Sequence, residues 1–90
     1  MEPDARNRAR RQAAYERAAG THRGAAEVET RAAELFDRLG QPKIAARHRA
    51  ASRRESECAQ ADSDEAALWS QLRDDGAHAV RAEIGPVRQP

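Results

Sequence analysis

Residues 15–40, cut every seven, read YERAAGT, HRGAAEV, ETRAAEL and FDRLG. An Ala-Ala pair recurs at 18/19, 25/26 and 32/33, and the blocks begin with Tyr15, His22, Glu29 and Phe36. If the first position of each block is a and the last is g, then a, d, e and g fall on one side of a helix. A strict seven-residue period holds that side against a partner helix with a slight left-handed supercoil. Alanine at d and e lets the partner come close. Position g holds Thr21, Val28 and Leu35, which this reading places in the same seam. Packing alone accounts for the repeat.

Working outward, the pattern predicts a first helix over about residues 4–39. Gly20 and Gly24 weaken its middle, each costing roughly 1 kcal/mol relative to Ala; they mark either a bend or a second point of close contact. Leu39-Gly40-Gln41-Pro42 ends it: glycine supplies a left-handed residue, and proline suits the first turn of the next helix. A second helix follows over about residues 42–75, with Ile44, Ala45, His48, Ala51 and Cys58 at helical spacing. Asp62-Ser63-Asp64-Glu65 resembles a capping-box start, so this helix is either continuous or broken there. Leu68, Trp69 and Leu72 follow, and Gly76 is a credible stop. Residues 77–90 read as a short third helical segment through Val80 and Ile84, then a mobile tail from Gly85-Pro86.

Charge supports the same topology independently. Residues 6–23 carry six Arg against one Glu, and residues 43–54 carry one Lys and four Arg with no acid. Residues 27–38 hold four acids against two Arg, and residues 55–75 hold seven against one. Folding the chain at Gln41 sets each block beside its opposite, whereas a parallel pairing brings like charges together. Exposed pairs contribute only about 0–1 kcal/mol each, so the pattern selects topology more than it stabilises. The fold expected is all-α: a long antiparallel, coiled-coil-like hairpin over residues 1–76, with Tyr15 near Leu68 and Trp69 at its open end.

Ninety residues make at most one domain with a small core. Of the 35 hydrophobic residues, 21 are Ala, and only 14 are larger. A fully buried Leu or Phe is worth roughly 1.5–3 kcal/mol, and Ala far less. A compact monomer is therefore marginal, and association with a second copy or a partner helix would relieve it. The candidate interface residues are Tyr15, Ala18, Ala25, Ala32, Phe36, Leu68 and Trp69. The lone Cys58 forbids an intramolecular disulfide and fits a reducing compartment. No secretory h-region is visible and no stretch approaches the ~18 apolar residues of a membrane span, so a cytoplasmic location is expected.

Little in the chain points to chemistry. His22 and Cys58 fall near one another across the predicted hairpin, yet no CxxC, HxxxH or ExxH pair is present and structural zinc wants four ligands. No metal or other cofactor is expected. Glu55, Glu57 and Asp62 surround Cys58 with negative charge, the wrong environment for a reactive thiolate. No Ser/His/Asp arrangement, phosphate-cradling glycine loop or nucleophile elbow occurs, and the chain reads as a non-enzyme. Two basic segments, Arg6, Arg8, Arg10 and Arg11, and Lys43, Arg47 and Arg54 with Arg49 and Arg53, are candidates for nucleic-acid contact. The net charge of +1 and the lack of interleaved aromatics favour solvated faces paired across the hairpin.

Residues 32–51, AAELFDRLGQPKIAARHRAA, resemble part of a tetratricopeptide repeat, in which an aromatic stands four before a glycine and an alanine five after it: here Phe36, Gly40 and Ala45. The likeness covers about a fifth of the chain. No second copy follows at the repeat period of about 34 residues, and the first helix is too long for a repeat unit. The aromatic expected after Ala45 is His48 or Arg49, and no peptide-binding residues carry over. YERAA, HRGAAE and RAAELFDRLG are also similar to small uncharacterised Ala/Arg-rich helical proteins of GC-rich bacteria, a likeness that implies no activity. The expected role is that of a structural or protein-interaction module.

Overall fold

The structure, a computed structural model, describes residues 3–84. It is two helices, α1 (Pro3–Arg38) and α2 (Pro42–Ile84), packed antiparallel as a hairpin. At 1.5 Å per residue α1 is about 54 Å long. Asp4 in its first turn and Arg38 in its last both suit the helix dipole.

The turn closes as the glycine and proline predict. Gly40 has φ of 71°, and its N–H donates to Asp37 O at 3.1 Å while Gln41 N–H donates to Phe36 O at 2.8 Å. This pair of reverse bonds satisfies carbonyls that the end of α1 leaves open. Ala45 N–H then donates to Gln41 O at 3.0 Å, the first bond of α2, with Pro42 in a turn that needs no N–H donor.

Among the described residues six are buried, and all six are alanines: Ala19, Ala26 and Ala33 on α1, Ala45, Ala59 and Ala66 on α2. On each helix they recur every seven residues, at position e, and Ser52 fills the same register on α2. The helices approach so closely here that Ser52 Oγ donates to the backbone carbonyl of Ala26 at 3.0 Å. With its proton spent there, Ser52 accepts from the Thr30 hydroxyl at 2.9 Å.

Three expectations need correction. Position g lies outside the seam: Thr21 is exposed, Val28 is 62% exposed and Leu35 44%. Alanine at e draws the backbones together, and the larger side chains at g would hold them apart, so the helix turns its smallest residues inward. Gly20 and Gly24 are not points of close contact, because a Cβ at either would meet nothing within 4 Å, and α1 runs through both. Finally, α2 is continuous through Asp62 and past Gly76 to Ile84, so neither the stop at Gly76 nor a separate third helix forms. Inside a helix Asp62 faces a histidine instead of capping a new terminus. The expected mobile tail from Gly85 falls outside the described residues.

Gly20→Ala and Gly24→Ala should each stabilise the hairpin by roughly 0.5–1 kcal/mol, since helix propensity is gained with no clash. Gly40→Ala should cost about 1–2 kcal/mol because of its left-handed backbone. Urea unfolding at fixed protein concentration, followed by circular dichroism, checks all three.

Candidate functional site: a polar ladder beside an apolar face

α2 follows the same seven-residue frame as α1. Its a positions are His48, Glu55, Asp62 and Trp69, and its d positions are Ile44, Ala51, Cys58, Glu65 and Leu72. The a residues of the two helices meet in a zigzag along the seam. The Phe36 ring stacks on His48, with centroids 5.3 Å apart and planes 7° from parallel. His48 Nδ1 donates to Glu29 at 2.9 Å. His22 Nδ1 donates to Glu55 at 2.6 Å, and its Nε2 lies 3.7 Å from Asp62. A carboxylate only accepts, so Nδ1 is the donor in each pair. At the open end the Arg11 guanidinium sits 5.2 Å from the centroid of the Trp69 ring, a cation–π contact.

The ladder is half-buried, not sealed: side-chain exposures are 35% for His22 and 33% for Glu55. Such pairs are worth little net stability. The two Nδ1 atoms are each paired with a carboxylate, and among the described residues no three His, Cys, Asp or Glu side chains converge to hold a metal. Cys58, expected beside His22, is exposed at position d, while His22 turns between Glu55 and Asp62.

The two broad faces of the hairpin differ. The e side is polar and cross-braced: Arg23 donates to Ser63 at 3.3 Å, Thr30 bonds Ser52, and Arg49 pairs with Asp37. A shallow groove of about 480 Å³ on that side is lined by Arg23, Glu27, Thr30 and Ser52 among others. The a side is flanked by positions d and g of both helices. The five exposed large apolar residues among those described all lie at those positions: Val28, Leu35, Leu39, Leu68 and Leu72. Ala18, Ala25, Ala32 and Ala51 lie half-exposed among them.

The residues singled out from sequence as an interface thus divide. Tyr15, Phe36 and Trp69 sit half-buried in the hairpin's own seam, and among the described residues no ring stacking joins Tyr15 to Trp69. Ala18, Ala25, Ala32 and Leu68 belong to the open a-side face. Val28, Leu35, Leu39 and Leu72 belong there too, although the seven-residue pattern places Val28 and Leu35 inside the seam. The two basic segments do not merge. Arg6, Arg8, Arg10 and Arg11 lie near the open end, and Lys43, Arg47 and Arg54 toward the turn, about 40 Å away along the helices.

Compared with protein-family models, curated proteins and solved structures, the chain shows no significant match to any of the three.

Replacing His22, Glu55 and Asp62 together by Leu should raise stability by about 1–4 kcal/mol, because apolar packing commonly outperforms partly buried ion pairs. A fall in the urea midpoint would show that the ladder holds the helices together.

Proposed function

We propose that this protein is an interaction module: a helical hairpin whose a-side face docks helices of another chain, with no chemistry of its own. One observation carries the reading. Among the described residues every exposed large apolar side chain lies on one face, while the opposite face is polar and braced. Scattered apolar residues are ordinary on a protein surface, but their restriction to one side marks a contact surface. An all-alanine core supports the same conclusion, since it buries little and leaves the larger side chains available to a partner. Packing through positions a, d and g would extend the seven-residue pattern into a coiled-coil-like bundle. The absence of any described helix long and apolar enough to cross a membrane fits a partner in water, and the exposed single thiol suits a reducing, cytoplasmic setting. A nucleic-acid role is less well supported, because the basic residues form two distant groups and Arg11 is engaged by Trp69.

The test pairs light scattering with binding of an apolar-surface dye. Wild-type protein should either exceed the 9.9 kDa chain mass, its face covered, or bind dye, its face bare. Leu35→Glu with Leu68→Glu should do neither while keeping its helicity, and an opposite-face control, Arg23→Ala with Glu27→Ala, should behave as wild type. A monomeric wild type that binds no dye would sink the reading.

A further inference from the structure

We infer that the occupant of the a-side face is a second copy of this chain, turned end for end so that α2 lies on α2 of the other copy. The inference rests on the docking reading above and names its partner.

Four charged residues stand on that face of α2: Arg47, Arg54 and, near the open end, Asp75 at position g, and Glu65 at position d. Among the described residues none of them makes an ion pair or hydrogen bond. Glu65 is half-exposed in an otherwise apolar d row of Ile44, Ala51, Cys58 and Leu72. Arg54 and Glu65 are eleven residues apart on one helix, about 16 Å, so they cannot meet within the chain. A counter-charge for Glu65 and the two arginines can therefore come only from outside the chain, and Glu65, set in an apolar row, gains most from one.

The orientation follows from what each helix offers. From Asn7 to Leu39, α1 has no carboxylate at d or g. A second copy laid turn against turn would place its α1 over α2 and leave Arg47 and Arg54 facing Val28 and Leu35. Turned end for end, Glu65 of the second copy comes opposite Ala51. It then lies between Arg47, four residues before Ala51, and Arg54, three after it. Two-fold symmetry repeats the cluster, because a contact of i with j is also one of j with i. In the same register Ile44 meets Leu72 of the second copy, and Val28 falls near Ala18 of that copy. The axis passes at Cys58, which faces itself. A foreign helix would need this basic-basic-acidic spacing independently; another copy of α2 has it already.

The full chain should scatter light as twice 9.9 kDa. A short bis-maleimide should link it through Cys58 into a covalent dimer, and Cys58→Ala should abolish the link but not the mass. Glu65→Arg should weaken the dimer at least tenfold. Adding Arg47→Glu and Arg54→Glu to that variant should restore both mass and helicity, which keeps the test valid if Glu65→Arg alone unfolds. A dimer indifferent to Glu65→Arg and not linked through Cys58 would overturn the orientation. A monomer that still binds dye would overturn the second copy while leaving the docking face standing.

Discussion

Contact between alanines governs this molecule. Ala19, Ala26 and Ala33 on one helix and Ala45, Ala59 and Ala66 on the other are buried, and among the described residues nothing larger is. Without bulky side chains between them the backbones close until a serine hydroxyl on one helix reaches a main-chain carbonyl on the other. That closeness decides where everything else goes. Residues at a are left at the edge of the contact, half in water, and residues at d and g are turned out. The cost is energetic: each alanine removes little apolar surface from water, so the hairpin's own core contributes modestly to stability.

The polar ladder is a consequence of that geometry. A fully buried histidine or glutamate would be expensive, but the edge of an alanine seam leaves room for solvent. There His22 can lie between Glu55 and Asp62, and His48 between Glu29 and Phe36. These contacts add little net energy, yet they discriminate between registers. Slid by one seven-residue block, Phe36 would face Gln41 and His22 would face His48. The turn at Gly40 and the ladder thus specify the same alignment from opposite directions, which alanine alone, equally content in any register, does not.

The hairpin's two faces follow from the same sorting. Polar residues at b, beside the alanines, bridge across the narrow e side; apolar residues at d and g, beside the ladder, are left uncovered by the described residues. The proposed docking role uses this imbalance, and the proposed second copy uses the unpaired charges on α2. Both depend on Val28, Leu35, Leu68 and Leu72 being outside, a placement enforced by the small side chains at e.

How much was legible beforehand can be judged residue by residue. Seven-residue spacing, glycine at 40, proline at 42 and alternating charge blocks are local or pairwise signals, and they suffice for two antiparallel helices with a turn at this place. The Phe36, Gly40 and Ala45 pattern that resembles a repeat motif consists of residues with plain tasks at that turn: one stacks on His48, one takes the left-handed conformation, one is wholly buried. Position e against position g could not be settled the same way. Both flank the stripe formed by a and d at similar angles, and only the distance between the helices, a property of two surfaces in contact, chooses the smaller residue for the inside. Nor could periodicity decide at Asp62 and Gly76, where a capping signal and a glycine each argue locally for a break. The sequence by itself determined that two helices pair and where they turn; the tertiary structure decided which side of each faces in, because that choice belongs to the close approach of the two backbones and not to either helix alone.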